Sequence, residues 1–217
     1  MHNRILRSCI MLASIAVVTL FPHAALIPIP FGYVLPVVVF IWLYLRWQKD
    51  NLSSIGFRWS DFGLKPLWVG ALAGLLIFCF LNYIFFPLLN NWVHFPDEPV
   101  ALYEQLKGNT GLYVFLLLMG WLVGGLYEEI VFHGFVFTQL EKLFSPQKAV
   151  WISFLLTNIL FGLYHLQLGY EGAINAWLAG SAYQAIILLN KRNIWYGILA
   201  HAIFDTIALT ALYLGYT

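Results

Sequence analysis

Seven apolar stretches of the chain alternate with short segments that contain charged residues, glycine or proline. The stretches cover residues 5–21, 31–47, 67–89, 112–140, 149–166, 172–190 and 194–214. A helix of about 20 apolar residues crosses the hydrocarbon core of a bilayer, whereas a closed barrel needs an alternation of polar and apolar residues that these stretches lack. The pattern therefore predicts an all-α fold, a polytopic transmembrane helical bundle with about seven transmembrane helices.

The composition supports a membrane protein. Apolar residues occupy 61% of the 217 positions and charged residues only 10%, whereas soluble domains contain about 25% charged residues. We expect one integral membrane domain over residues 1–217, embedded in the lipid bilayer, with a first stretch that is retained as a helix. The net charge of +1 and the lack of a basic stripe argue against a nucleic acid partner.

Lysine and arginine are concentrated in alternate connections. If the N-terminus is inside, ten of the eleven cations lie in inner segments and only Lys107 lies in an outer one. The inner cations are Arg4, Arg7, Arg46, Lys49, Arg58, Lys65, Lys142, Lys148, Lys191 and Arg192. The outer loop carries Asp97, Glu98 and Glu104 instead. Because inner loops are enriched in Lys and Arg, we expect a protein of the cell (plasma) membrane with its N-terminus inside and its C-terminus outside.

Six ionisable residues lie within apolar stretches of the C-terminal half. They are Glu128, Glu129, His133, His165, His201 and Asp205. A charge at the centre of a bilayer costs about 3 kcal/mol or more, so such residues usually face a protein interior or a wet cavity and mark a functional site. These six residues are therefore the candidates for the chemistry of this protein.

Three of the six lie in the segment EEIVFH at residues 128–133. On a helix Glu129 and His133 are one turn apart and share a face, whereas Glu128 points about 100° away. Adjacent carboxylates in a water-poor site resist simultaneous ionisation, and one that exchanges a proton can act as a general base. Buried acids that are satisfied by hydrogen bonds or by an internal histidine are the structural alternative.

The other three lie in FGLYH at residues 161–165 and in HAIFD at residues 201–205. Asn158 precedes His165 by two helical turns. His201 and Asp205 are four residues apart, so both can enter one cavity, with Asp205 orienting the imidazole. Because three separate helices each supply a carboxylate or an imidazole, a shared polar site is favoured over isolated core histidines.

These motifs resemble those of the CPBP family, the CAAX proteases and bacteriocin-processing (Abi/Rce1-like) glutamate-dependent intramembrane proteases. The family carries, in this order, a Glu-Glu-x-x-x-Arg element, a Phe-x-x-x-His element and a His-x-x-x-Asn/Asp element. The resemblance covers a motif-bearing core at about residues 112–217, and the N-terminal half adds only compatible hydropathy.

The resemblance implies that a glutamate-activated water hydrolyses a peptide bond within the membrane. By position, Glu128 would be the base that takes the proton of the water, and His165 would help to hold that water. Glu129 would support the site. His201 and Asp205 would orient or stabilise the developing oxyanion. Phe161 and His133 would have supporting roles.

One position departs from the family pattern, because His133 stands where the family has Arg. Imidazole is shorter than guanidinium, and its charge depends on pH. The change either keeps a hydrogen bond to Glu129 or marks a member that is not proteolytic. It also raises the alternative of a divalent transition metal, for which nitrogen and oxygen ligands are suitable. The ligands would be Glu129, His133, His165, His201 and Asp205. No HExxH pattern is present, and we expect no cofactor.

The sequence leaves three functional hypotheses. The first is an intramembrane endopeptidase that acts on a membrane-delivered or lipid-modified peptide or protein. The second is a proton-coupled transporter with Glu, His and Asp as its relay. The third is a catalytically silent membrane protein of the bacteriocin-immunity type, which is suggested by His133 in place of the family arginine. The sequence indicates neither the substrate nor the oligomeric state.

Overall fold

The computed structural model describes residues 2–95 and 104–216, and within these ranges the chain is mainly helical, with no strand. The seven helices are α1 His2–Leu20, α2 Val34–Trp47, α3 Leu64–Leu89, α4 Thr110–Glu141, α5 Pro146–Tyr164, α6 Gly169–Leu189 and α7 Trp195–Leu214. Each bound lies within three residues of the predicted one. The predicted all-α bundle of about seven helices is confirmed. Asp97 and Glu98, expected in the outer loop, lie outside the described residues.

Five segments of the described chain are long and apolar enough to cross a membrane. They are Ile5–Ala24, Leu64–Leu89, Thr110–Glu141, Leu166–Leu189 and Trp195–Leu214. Helix α2 is apolar but has only 14 residues, which span about 21 Å at 1.5 Å per residue. Helix α5 is less apolar because it carries Ser153, Thr157 and Asn158, all of which are fully buried.

Small residues let α3 pack directly against α7. A Cβ atom on Gly70 would lie 2.6 Å from Leu199 Cβ, and one on Gly74 would overlap the carbonyl oxygen of Ala200. Glycines four residues apart on one helix face commonly permit such close backbone contact between membrane helices. Helix α4 packs closely against another face of α7, since a Cβ on Gly125 would lie 2.9 Å from Ala202 Cβ. Helix α7 is therefore held between α3 and α4.

The helices alternate in direction and bring most of the cations to one end of the bundle. We call this the cation-rich end; its residues are Arg7, Arg46, Lys49, Arg58, Lys65, Lys142, Lys148, Lys191 and Arg192. Contacts between connections and helix ends hold it together: Arg192 forms a bidentate ion pair with Glu141 at 2.6 and 2.9 Å, and Trp195 Nε1 donates to the carbonyl of Arg58 at 2.8 Å. The α1–α2 and α5–α6 connections and the C-terminal end of α7 lie at the opposite end.

The middle of α4, Gly120–Val136, is wound more widely than an α-helix. At its end the amide of Phe137 donates to the carbonyl of Phe132, five residues earlier. Wide turns of this kind are rare and often occur at functional sites. This segment carries both glutamates and His133, and every residue from 127 to 136 is buried. The widened part of α4 thus forms the centre of the bundle around which the candidate site is built.

Candidate active site

The three motifs meet in the middle of the bundle. Glu128 and Glu129 lie on the widened part of α4, His165 directly follows the C-terminal end of α5, and His201 lies in the buried N-terminal half of α7. Phe161 packs between them, with its ring centroid 4.6 Å from that of His165 and 6.0 Å from that of His201. The structure thus brings together side chains that are up to 73 positions apart in the sequence, counting from residue 128 to residue 201.

Glu129 is the hub of a closed polar cluster. Its side chain is fully buried, and its two carboxylate oxygens bind two different imidazoles. His133 Nδ1 donates to Oε2 at 2.7 Å, and His201 Nδ1 donates to Oε1 at 2.9 Å. The contact with His133 confirms the predicted shared helix face. We refer to Glu129, His133, His201 and Asn158 as the Glu129 cluster.

Asn158 completes the surroundings of His133. Its Nδ2 donates to the carbonyl of Phe154 at 2.8 Å, so that its Oδ1 faces His133 Nε2 at 3.2 Å. Both ring nitrogens of His133 therefore face acceptor oxygens, one from Glu129 and one from Asn158. Hydrogen bonding at His133 is complete only when both nitrogens carry a proton. At the position where the family pattern has arginine, an imidazole thus bridges Glu129 and Asn158.

Glu128 has different surroundings from Glu129. Its carboxylate faces His165, with Oε2 3.6 Å from Nε2. The other ring nitrogen of His165, Nδ1, donates to the carbonyl of Phe161 at 2.8 Å and so fixes the orientation of the ring. A separation of 3.6 Å exceeds a good direct hydrogen bond, and polar pairs at such distances are often bridged by water. Both side chains retain some exposure, 10% for Glu128 and 14% for His165.

His201 is oriented by Glu129 instead of by Asp205. Asp205 Oδ1 lies 3.8 Å from Nε2 of His201, beyond hydrogen-bond distance, whereas Glu129 bonds Nδ1 directly. The ring of Tyr183 stacks on the imidazole, with centroids 4.8 Å apart and planes at 21°. The expected shared face of His201 and Asp205 is present, but the orienting hydrogen bond comes from another helix.

A cavity of about 630 Å³ adjoins these groups, within the usual size range of ligand sites. Its polar lining includes Glu128, His165, His201 and Asp205, whereas Glu129 and His133 lie behind its wall. Most of the remaining lining is apolar or aromatic. The lining extends to Pro22, Phe31, Gln167, Leu168, Leu209 and Leu212. These residues belong to the α1–α2 and α5–α6 connections and the end of α7, so the cavity lies towards the end of the bundle opposite the cation-rich end.

Sequence reasoning missed two members of this site. Asn158 was noted only for its position before His165, although a polar amide in an apolar helix was a usable signal. Tyr183 gave no such signal, because an aromatic residue in an apolar helix normally packs in the core. Its hydroxyl is buried and has no partner among the described residues.

The metal alternative finds little support in the geometry. Within residues 2–95 and 104–216, no three or more His, Cys, Asp or Glu side chains are arranged to hold a metal ion. Both oxygens of Glu129 and the Nδ1 atoms of His133 and His201 already bind one another. Holding a metal with the five residues considered above would require this hydrogen-bonded cluster to open.

The comparison with protein families gives one match. Residues 110–207, slightly less than half of the chain, match the family model described as type II CAAX prenyl endopeptidase, Rce1-like. No curated protein and no solved structure matches the chain. The matched segment contains all three motifs, so the resemblance inferred from them is confirmed. Together with the long apolar helices, the match identifies an integral membrane protein with a domain like those of CAAX-type intramembrane proteases.

Proposed function

We propose that this chain, which carries an Rce1-like domain at residues 110–207, is an intramembrane endopeptidase that hydrolyses a peptide bond with a water activated by Glu128. One observation carries the proposal. The carboxylate of Glu128 and the Nε2 atom of His165 face each other at 3.6 Å beside a cavity. A water bound there could hydrogen-bond to both groups and remain in contact with a substrate in the cavity.

The chemical steps follow from this placement. The oxygen of the water attacks the carbonyl carbon of the scissile peptide, while Glu128 takes the proton of the water as general base. The carbonyl oxygen becomes an oxyanion. When the tetrahedral intermediate collapses, the bond from carbon to nitrogen breaks and Glu128 returns the proton to the leaving amine. His165 keeps the water in position through its second ring nitrogen, which is free of the Phe161 carbonyl.

We assign the stabilisation of the oxyanion to His201. Its Nδ1 is held by the carboxylate of Glu129, so Nε2 is the nitrogen that faces the cavity. A ring protonated at both nitrogens would donate from Nε2 to the developing oxyanion. Tyr183, stacked on the ring, and Asp205, 3.8 Å from Nε2, limit where the imidazole can turn. Glu129 therefore positions His201 by a hydrogen bond, and Asp205 only limits the rotation of its ring.

The replacement of the family arginine by His133 is compatible with this mechanism. Arginine would supply a permanent positive charge beside Glu129. His133 supplies the same charge when both ring nitrogens are protonated, and in that state it donates to both Glu129 and Asn158. We therefore assign this chain to the active members of the family and not to the silent immunity type.

We expect the substrate to enter from the outer side of the membrane. The concentration of Lys and Arg predicts that the cation-rich end faces inward, and the cavity lies towards the other end of the bundle. Its walls are mainly apolar and aromatic, which suits an extended segment of a membrane-delivered or lipid-modified peptide. No group in the lining distinguishes a prenyl chain from another apolar chain.

A proton-coupled transporter is the second candidate, and a specific observation favours it. Between the Glu129 cluster and the cation-rich end, four fully buried polar side chains have atoms without a hydrogen-bond partner among the described residues: Gln139, Ser153, Thr157 and Gln184. Gln139 also accepts a long hydrogen bond, 3.4 Å, from Gln48 near the surface. If water molecules hydrate these buried polar side chains, they could form a path for protons.

One experiment tests both candidates. The wild-type protein and a Glu128→Gln variant would be expressed in the native membrane, and membrane proteins and secreted peptides would be compared by mass spectrometry. A peptide that is cut only by the wild type supports the protease. In parallel, proteoliposomes would report proton flux. Flux that requires Glu128, in the absence of any cleavage, would select the transporter, and normal function without Glu128, His165 and His201 would select the silent protein.

A further inference from the structure

A second cavity, of about 560 Å³, lies at the cation-rich end, away from the candidate active site. It is formed where the beginning of α1, the end of α2 and the end of α4 meet. The lining residues are Arg7, Ser8, Met11, Trp47, Gln48, Lys49, Lys142 and Leu143. Three of these carry a positive charge and none carries a negative charge. The proposed peptidase reaction uses none of them.

The three cations differ in their partners. Lys142 Nζ donates to Gln48 Oε1 at 2.8 Å and lies 3.2 Å from Asp50 Oδ2, so its charge is largely balanced. Arg7 and Lys49 have no ion pair and no side-chain hydrogen bond with any other described residue. Lys49 adopts a positive φ of 63°, which is uncommon for a residue other than glycine. Two cations without protein partners thus share one cavity.

The apolar part of the cavity and its flanks match a lipid better than a soluble anion. Met11 is buried at its floor, and Trp47 is 62% exposed at its edge. One helical turn from the cavity, towards the middle of the bundle, Leu12 on α1 and Leu43 on α2 are exposed by 52% and 54%. A headgroup bound between the cations would therefore leave its acyl chains against exposed leucines.

We propose that this cavity binds the phosphate-bearing headgroup of an anionic phospholipid, with Arg7 and Lys49 as its main cationic contacts and Lys142 as a third. Basic cavities between membrane helices on the inner side are well suited to such headgroups. The tryptophan at the edge lies where indole rings commonly contact the interface between headgroups and acyl chains. This site is independent of the proposed peptidase activity.

The test uses the full chain purified in detergent and native mass spectrometry. Phosphatidylglycerol would be titrated against the wild type and the double variant Arg7→Gln/Lys49→Gln. Since each cation near an anionic lipid contributes about 1 kcal/mol, the double variant should bind the first lipid roughly tenfold to thirtyfold more weakly. The matched control is Lys148→Gln/Lys191→Gln, which removes two exposed cations from the same end but outside the cavity. It should bind the first lipid almost as tightly as the wild type.

Three results would overturn the proposal. Equal weakening in the two double variants would indicate a diffuse surface charge effect without a defined site. Binding of phosphatidylcholine as tight as that of phosphatidylglycerol would show that the cavity does not recognise net negative charge. Competition by inorganic phosphate at concentrations comparable to the lipid would identify a soluble anion as the ligand. Far-UV circular dichroism checks that each variant is folded. The lipid titration does not depend on the proposed peptidase activity.

Discussion

Glu128 and Glu129 are neighbours in the sequence, but they lie in opposite environments. Glu129 is fully buried, and both of its oxygens bind histidines on α4 and α7. Glu128 faces a cavity, and its nearest imidazole is that of His165 at 3.6 Å. Consecutive positions on a helix point about 100° apart, so one doublet can serve both a closed cluster and an open cavity. Position relative to the cavity, and not residue type, therefore separates a candidate base from a structural acid.

The largest expected effect is the loss of peptide cleavage in Glu128→Gln. A general base contributes roughly 10²-fold to 10⁴-fold to the rate, and the amide cannot accept the proton of the water. Because the Glu128 carboxylate makes no hydrogen bond shorter than 3.5 Å to another described residue, the substitution should change the free energy of unfolding little. Cleavage would be measured with a substrate identified in the mass spectrometry comparison, and unfolding by denaturant in detergent.

His165→Ala gives the parallel test on the other side of the proposed water. His165→Ala should lose cleavage as well. The control variant Leu163→Ala, at an exposed position of helix α5, should retain it. If Glu128→Gln cleaves its substrate at the wild-type rate, Glu128 is not the base and the contrast between the two glutamates loses its functional meaning.

The second largest effect is expected on stability, in Glu129→Leu. Removing this carboxylate leaves the Nδ1 atoms of His133 and His201 without their acceptor in a buried site. Loss of one partner from a buried, paired charge destabilises a protein by about 3–5 kcal/mol. The unfolding transition in detergent should therefore shift strongly for this variant and hardly at all for Glu128→Gln.

An equal loss of stability in Glu128→Gln and Glu129→Leu would contradict the contrast between an open Glu128 and a buried, paired Glu129. So would a Glu129→Leu variant that is as stable as the wild type and fully active, because His201 would then need no carboxylate to orient it.

The fold was largely predictable from the sequence, and the contacts within one helix were as well. Apolar stretches set the helices because every backbone polar group in a bilayer must be paired within the chain. The spacing of Glu129 and His133 predicted their contact, since residues one turn apart meet on any helix. The widened winding of Gly120–Val136 was not predicted, because it depends on packing around α4 and not on the apolar pattern.

Contacts between helices could not be predicted in the same way. Periodicity assigned Asp205 to His201 because both are on α7, whereas the structure pairs His201 with Glu129 of α4. The rotation and tilt of neighbouring helices decide such pairs, and a single sequence does not specify these quantities. For the same reason, the role of Asn158 as a partner of His133 was missed.

An intermediate effect is expected at His133, which tests whether the Glu129 cluster depends on two donors. His133→Phe retains a ring but leaves Glu129 Oε2 and Asn158 Oδ1 without a donor. An unpaired buried polar group costs about 1–3 kcal/mol. His133→Gln retains one donor group and should be destabilised less than His133→Phe. Denaturant unfolding of the two variants, measured side by side, checks this order.

The nitrogen chemical shifts of His133 in the labelled wild-type protein give an independent readout. A doubly protonated ring gives two similar shifts, whereas a neutral ring gives two widely separated ones. A neutral ring in the folded protein, or a His133→Phe variant as stable as wild type, would mean that His133 does not supply the charge of the family arginine.

The smallest effect on cleavage is expected for a substitution of Gly124, which lines the cavity beside Glu128. A Cβ atom there would overlap Asp205 Oδ2 and lie 3.4 Å from His201 Nε2. Gly124→Ala should displace Asp205, whose side chain is 25% exposed and can move. This change should lower kcat/KM by roughly threefold to tenfold, or about 1 kcal/mol.

Gly111→Ala on the same helix is the control, because its Cβ would meet only Asn109 Oδ1 at 3.8 Å. If both alanines leave cleavage unchanged, Asp205 does not help to position His201. The cavity would then depend on Glu128 and His165 for the water, and on Glu129 alone for the orientation of His201.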